Sequence, residues 1–190
     1  EGAAFVVFKL LVGLGLAGGY ALLGATWLVI KTEGELQQRA LRWSHAALFF
    51  TAAGVAAISL ATPFASNDVF ERWFAWPNIA LLAPLPLATA AAFVGIWRWT
   101  TRLQQRRTQR EWGPFVLAVW VFVFAFAGLA YSMFPYLVFD RMTIWQAAAA
   151  KESLWIVFVG TCLVLPMIVG YTVFAYRVFW GKTRELTYGA

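Results

Sequence analysis

The sequence predicts an all-α integral membrane protein with five transmembrane helices. Five apolar stretches carry this prediction, at residues 10–30, 43–61, 79–97, 114–134 and 154–176. Each is close to the roughly 20 residues that a helix needs to cross a hydrocarbon layer of ~30 Å. The composition agrees, because 62% of the residues are apolar and only 13% are charged, whereas about 25% are charged in an ordinary globular domain. We therefore expect residues 1–190 to form one transmembrane domain.

The basic residues predict the orientation of these helices. When each is assigned to the nearer membrane face, one face receives Lys31, Arg39, Arg42, Arg98, Arg102, Arg106, Arg107, Arg110, Arg177, Lys182 and Arg184. The other face receives only Lys9, Arg72, Arg141 and Lys151. Because Lys and Arg are enriched in cytoplasmic loops, the N-terminus is expected outside and the C-terminus in the cytoplasm. The net charge of +6 is thus assigned to topology and membrane lipids, with no nucleic-acid partner.

Helix 1 is predicted to pack closely against a neighbour. It contains Gly15 and Gly19, and small residues four positions apart allow another helix to approach its backbone. Helix 2 is rich in alanine and ends before Pro63, a residue that cannot continue a helix. The connection between the two helices is short. We expect the last four helices to form a bundle, with helix 1 leading into it.

Helix 3 contains Pro84 and Pro86. Each proline removes a backbone donor, so together they predict a kink or an unwound turn. In the polar segment that follows, Arg102, Arg106 and Arg110 recur every four residues, so that a helical extension would align them on one face. These arginines either determine topology or attract anionic lipid.

Helix 4 opens at Pro114, and helix 5 carries Pro166 near its centre. In the loop between them, residues 145–150 predict a short interfacial turn of helix. Ser153 is predicted to cap helix 5, since a serine hydroxyl can accept a hydrogen bond from one of the free backbone N–H groups at the start of a helix. Cys162 is the single cysteine of the chain, and we expect it to be buried as a small apolar residue.

Ionisable residues are confined to the ends of the predicted helices. Intramembrane charges mark ion pathways where they occur, so their absence disfavours a channel. The single histidine, His45, is a candidate haem ligand, or else an interfacial side chain bonded to headgroups or a loop. No second histidine can complete a ligand pair. We therefore predict no catalytic residue, no metal site and no cofactor held by this chain, while its many aromatic side chains could line a groove for a quinone or a lipid.

Six short motifs occur along the sequence, most of them at or near helix ends. They are Gly24-Ala25-Thr26, Lys31-Thr32-Glu33-Gly34-Glu35-Leu36, Phe134-Pro135-Tyr136, Thr143-Ile144-Trp145-Gln146-Ala147-Ala148, Leu165-Pro166-Met167-Ile168-Val169-Gly170-Tyr171-Thr172 and Phe179-Trp180-Gly181-Lys182. In order and spacing they resemble subunit II of the cytochrome bd-type quinol oxidases. Residues 62–64 and 72–74 are similar to the cyanide-insensitive branch of that family. Gly34 and Gly181 suit helix C-terminal turns, and the motif positions are expected to be structural.

This resemblance implies an accessory subunit of a bacterial plasma-membrane oxidase that oxidises quinol and reduces dioxygen to water. It implies that haem b, haem d and the quinol-oxidising loop belong to subunit I, against which this chain would pack. It covers only the C-terminal half of subunit II. Because the chain also begins at Glu1 rather than Met, we expect an N-terminal half of the subunit as a further partner.

A second hypothesis is one half of a membrane transporter. Broken helices near the midplane of the membrane are a feature of transporters, and Pro84, Pro86 and Pro166 would supply the breaks. The lack of intramembrane charge argues against it.

Overall fold

The computed structural model describes residues 3–65, 73, 75–76, 78–138 and 142–182. Within these ranges the helices are α1 (Ala3–Lys31), α2 (Gly34–Ala65), α3 (Asn78–Leu82), α4 (Pro84–Gln104), α5 (Gly113–Met133) and α6 (Lys151–Val178). The antiparallel strands β1 (Tyr136–Val138) and β2 (Met142–Thr143) form a small sheet. The chain divides into two compact units: unit 1 contains Glu1–Ser132, and unit 2 is Met133–Lys182.

Five helical segments of the described chain are long and apolar enough to cross a membrane, which confirms the predicted fold class. They are Lys9–Lys31, Gly34–Thr62, Asn78–Gln104, Gly113–Met133 and Lys151–Val178. The third combines α3 and α4. Most of them extend beyond the apolar stretches of the sequence, because the helical backbone continues into the polar interface at either end.

Helices α1, α2, α4 and α5 form a bundle around a common core in unit 1. Its buried residues are Leu22, Leu48, Ala92, Ile96, Ala118 and Val121. A second cluster of Val29, Ala40, Leu41 and Leu103 lies nearer to the ends of these helices. Helix α1 therefore does more than lead into a bundle, since Leu22 belongs to the same core as α2, α4 and α5. Helix α1 is a full member, because its glycines allow it to approach both α2 and α5.

Helices α1 and α2 approach each other through their backbones. A Cβ atom added to Gly54 of α2 would lie 2.9 Å from the Cα of Gly15. Gly19 faces a different neighbour, since a Cβ atom there would lie 2.8 Å from Cζ of Phe122 in α5. The two glycines predicted to serve one neighbouring helix thus serve two.

The prolines of the third span interrupt the helix at Ala83 without unwinding it. The Ala83 N–H donates to the Ile79 carbonyl at 2.9 Å, and the Leu87 N–H donates to the Ala83 carbonyl at 3.4 Å. Pro84 and Pro86 lie in the first turn of α4, where a missing N–H costs least. The predicted interruption is therefore present. The described residues around Ala83 do not form the unwound segment that the transporter hypothesis requires.

Helix α4 ends at Gln104, and the chain then turns. The Arg107 N–H donates to the Arg102 carbonyl at 2.9 Å, and Arg106 has a left-handed φ of 55°. These are features of a Schellman turn, which terminates a helix. The helical extension that would have aligned Arg102, Arg106 and Arg110 is consequently absent.

Strands β1 and β2 of unit 2 lead into one tight turn. The Thr143 N–H donates to Oε1 of Gln146 at 2.9 Å, and the Gln146 N–H donates to Oγ1 of Thr143 at 3.3 Å. This exchange is a capping box. The Ala147 N–H also donates to the Thr143 carbonyl at 3.0 Å. The helical turn predicted at residues 145–150 thus exists, but it begins at Thr143 and spans a single turn.

Helix α6 begins at Lys151, with Ala150 at the N-cap and no side-chain cap. Ser153 lies inside the first turn of the helix, so the prediction that it caps the helix is wrong. Cys162 is exposed, contrary to the expected burial. The reason is that unit 2 supplies no interior for α6, none of whose side chains is buried.

Replacing Gly54 with alanine should destabilise the bundle, because the added Cβ atom would press on the backbone of Gly15. We expect a loss of about 1–3 kcal/mol, as for overpacking in other cores. Thermal unfolding of the purified protein in detergent measures the effect. Gly13→Ala is the matched control, since a Cβ atom there meets nothing within 4 Å. Equal melting temperatures for the two variants would contradict the close backbone contact.

Candidate functional site

The described polar side chains that link different helices concentrate at one end of unit 1. Helix α1 ends at Lys31 just before α2 begins at Gly34, and α4 ends at Gln104 shortly before α5 begins at Gly113. Because consecutive helices of the bundle run in opposite directions, both connections lie at the same end. We call this end, formed by residues 31–34 and 105–112 with the adjoining helix turns, the polar end.

Gln37 joins the two connections of the polar end. Its Nε2 donates to the Val29 carbonyl at 2.9 Å and to Oε1 of Glu111 at 2.8 Å. Val29 lies in the last turn of α1, where carbonyls lack partners within the helix. One side chain therefore satisfies the end of α1 and holds the α4–α5 connection against α2. Thr32 serves the same helix end, since its backbone N–H and its hydroxyl both donate to the Leu28 carbonyl.

His45 links α2 to α4. Its Nε2 lies 2.8 Å from Oγ1 of Thr100 and 3.5 Å from Oγ1 of Thr101. The Thr100 hydroxyl points its hydrogen at the carbonyls of Ile96 and Trp97, and the Thr101 hydroxyl does the same toward Trp97. The tautomer of His45 decides whether its Nε2 donates to or accepts from the Thr100 hydroxyl. His45 thus bonds through Nε2 to a neighbouring helix and not to a loop.

Aromatic rings surround the charged groups of the polar end. The Trp99 indole N–H donates to the Arg110 carbonyl at 2.9 Å, and the Trp99 ring lies 5.8 Å from that of Trp112. The Lys31 ammonium lies 5.4 Å from the centre of the Trp27 ring, within the range of a cation–π contact. Tryptophan is enriched where a membrane meets water. These contacts therefore suit the headgroup level of a bilayer.

The structure places the predicted motif residues of unit 1 in distinct environments. Thr26 is fully buried, and its hydroxyl donates to the Leu22 carbonyl of its own helix at 2.8 Å. Gly24 is exposed and faces open space. Gly34 has a φ of 63°, which confirms the predicted turn, although it opens α2 rather than closing α1. Beside it, exposed Glu35 accepts from Nη2 of Arg39 at 2.6 Å, and Glu33 is also exposed.

The motif residues of unit 2 fall into two groups. Pro135 and Tyr136 belong to the hairpin, where the Ile144 N–H donates to the Pro135 carbonyl at 3.0 Å and Tyr136 pairs with Thr143. The others lie along or after α6. Pro166, Tyr171 and Thr172 are exposed on the helix, Gly181 has a φ of 142°, and Lys182 is half-buried.

The sequence did not identify Gln37, Glu111, Thr100 or Thr101 as members of this end. Glu111 carried a usable signal, because it is the single acidic residue between Glu71 and Asp140 and follows a run of arginines. No sequence signal marked Thr100 and Thr101, because hydroxyls in a membrane helix usually bond to the backbone of their own helix.

The side chains of the polar end can bind neighbouring helices, orient them and hold them together. Among the residues that the structure describes, no group of three or more His, Cys, Asp or Glu side chains is placed to hold a metal ion. The Nε2 of His45 is engaged with Thr100. As placed, the described residues of this chain do not fit a haem.

Five apolar spans long enough to cross a membrane define a multi-pass membrane protein. The chain belongs to the family of cytochrome bd terminal oxidase subunit II, whose model matches residues 2–179. This confirms the resemblance carried by the six motifs. It also makes the chain a membrane protein of electron transport, from a family of quinol oxidase complexes. No curated protein matches the sequence.

Replacing Gln37 with methionine should loosen the polar end, because the Val29 carbonyl and Glu111 would both lose a donor. We expect a loss of about 1–3 kcal/mol in stability, because one of the two lost hydrogen bonds is to a charged group. Gln38→Met is the matched control on the next residue of the same helix. Thermal unfolding of both variants in detergent should rank the Gln37 variant clearly below the control. The same midpoint for both would show that the link is unimportant.

Replacing Thr100 with valine should remove the hydrogen-bond partner of His45 while preserving the shape of the side chain. The expected cost is about 0.5–1.5 kcal/mol. Thr89→Val is the control, since the Thr89 hydroxyl donates only to the Leu85 carbonyl of its own helix. Denaturation by a graded series of harsher detergent measures both variants. If Thr89→Val proved as damaging as Thr100→Val, the contact between α2 and α4 would not be the cause.

Proposed function

We propose that this chain is a non-haem structural subunit, or the C-terminal part of one, in a bd-type terminal oxidase of a bacterial plasma membrane. The complex would oxidise quinol and reduce dioxygen to water. The observation that carries the proposal is the family match across residues 2–179. The fold supports it, because the charged residues of the described spans lie toward the helix ends and the bundle core is apolar.

The proposed partners are the haem-bearing subunit I and the N-terminal half of subunit II. Large apolar side chains are exposed on all described spans, including Phe49, Phe126 and Ile156. In lipid, helices associate through close packing and interhelical hydrogen bonds, so such faces suit either acyl chains or partner helices. Subunit I would hold haem b and haem d, and this chain would supply no catalytic residue. Its aromatic grooves would accept a lipid or a quinone tail.

The proposed orientation places the polar end in the cytoplasm and the N-terminus outside. The described basic residues of unit 1 other than Lys9 lie near this end, from Lys31 and Arg39 to the arginines of residues 98–110. Lysine and arginine accumulate on the cytoplasmic side of a membrane. The charge distribution of the folded unit thus supports the same topology as the sequence.

Affinity purification of the tagged chain from its native membrane tests the proposal. We expect haem b and haem d absorption bands to co-purify with it, together with quinol-dependent oxygen consumption. His45→Gln should leave the bands intact, because glutamine can still donate a hydrogen bond to Thr100 but is not a haem ligand.

Two outcomes would contradict this proposal. The first is a fully active, haem-containing oxidase in cells that lack the chain. The second is substrate-dependent uptake into haem-free liposomes that contain the chain alone, which would favour the transporter. Loss of a haem band in His45→Gln, with the complex otherwise assembled, would instead assign a ligand to this chain.

A further inference from the structure

Five arginines surround the C-terminal end of α4, and we call them the arginine cluster: Arg98, Arg102, Arg106, Arg107 and Arg110. All five side chains are exposed. In the part of the chain that the structure describes, none of their guanidinium groups has an ion-pair or hydrogen-bond partner. Several positive charges are thus concentrated on a short segment without internal neutralisation.

Backbone and indole contacts gather these arginines around one helix end. Arg98 and Arg102 are four residues apart on α4 and therefore share a face. The hydrogen bond from the Arg107 N–H to the Arg102 carbonyl folds the next turn back onto the helix. The bond from the Trp99 indole to the Arg110 carbonyl returns the end of the segment to the level of Arg98. The arrangement is a folded surface and not an extended run of charge.

Arg106 occupies a backbone conformation that normally takes glycine. Its φ of 55° is the left-handed position of the turn, where a side chain crowds the following carbonyl. Gly34 and Gly181, at two other described positions with positive φ, are glycines. An arginine in such a strained position points to a use for its side chain.

Arg39, another arginine of the polar end, is neutralised within the protein. It is paired with Glu35 at 2.6 Å, and the single acid of residues 98–112, Glu111, accepts a hydrogen bond from Gln37. The arginine cluster therefore differs from Arg39, because its positive charge remains available to an external anion.

The surroundings of the cluster indicate what that anion is. The rings of Trp99 and Trp112 pack together, and paired indoles suit the depth of lipid headgroups. Next to them, exposed Trp97 and Val116 offer apolar surface. A guanidinium binds phosphate oxygens through two parallel hydrogen bonds. A ligand with a phosphate and an acyl chain would satisfy both surfaces, whereas free phosphate or a nucleic acid would leave the apolar one uncovered.

We propose that the arginine cluster binds the phosphate groups of an anionic phospholipid, with the acyl chains lying against α4 and α5. A headgroup with two phosphates, as in cardiolipin, would engage arginines from both the helix and the turn. The cluster would then fix the position of the polar end in the bilayer, beyond its part in determining topology.

The test compares lipid binding by two double variants of the protein, each in the complex in which it is isolated. Arg106→Gly with Arg107→Gln removes two guanidinium groups while favouring the turn. Arg39→Gln with Arg42→Gln removes the same charge from the same end, where Glu35 already neutralises Arg39. The complexes are washed in neutral detergent and titrated with cardiolipin or phosphatidylcholine in mixed micelles, and bound phospholipid is quantified by chromatography.

We expect the unsubstituted protein to prefer cardiolipin over phosphatidylcholine. A basic residue near an anionic surface contributes about a factor of five, so the first variant should bind cardiolipin roughly 25-fold more weakly. The control should change by less than about fivefold.

Three results would overturn the proposal. Equal weakening in both variants would show a response to net charge alone. No preference for cardiolipin in the unsubstituted protein would exclude a lipid site. Unchanged lipid binding with loss of another subunit from the first variant would show that the cluster docks an acidic polypeptide instead.

Discussion

The hydrocarbon layer requires every polar group inside it to have a partner, and this requirement organises the whole chain. Hydroxyl groups along the helices meet it locally, by donating to a carbonyl four residues earlier; the examples are Thr26, Ser44, Thr51, Thr62, Thr89 and Thr161. In the described residues no buried side-chain nitrogen or oxygen lacks a partner. These six bonds stay within one helix and specify no neighbour, so the choice of neighbouring helix depends on shape and on the polar contacts at the helix ends.

In unit 1, the shape of the helices and their polar side chains together determine which helices pack against each other. Within the membrane, Gly15 and Gly54 bring α1 and α2 together because neither has a side chain to keep them apart. At the polar end, Gln37 and His45 add directional bonds between segments distant in sequence. Such a unit has an apolar core and presents apolar surface around it. It suits a family whose members are assembled into oxidase complexes, and it supports the proposed role as a scaffold for a haem-bearing partner.

The basic residues of the polar end differ in whether their charge is paired within the protein. Arg39 is neutralised by an acid on its own helix, whereas the arginine cluster is left unpaired and is gathered by a turn with a strained residue at its centre. Counting charges by membrane face treats all of them alike. Only their positions in the folded chain separate those that bond internally from those that face outward.

Local properties of the sequence were sufficient to predict the membrane spans, the glycine turns at Gly34 and Gly181 and the protein family. Length, apolarity and motif order do not depend on contacts between distant residues. They could not show that Gly15 and Gly19 face different helices or that α1 belongs to the bundle. Nor could they predict that Ser153 does not cap α6, that Gln37 reaches Glu111 or that His45 forms a hydrogen bond with Thr100. Each of these depends on which residues meet when the helices pack, and a hydroxyl or a glycine has no partner preference strong enough to be read from its position in the chain. The tertiary structure decided them, since packing alone sets the rotation and depth of each helix against its neighbours.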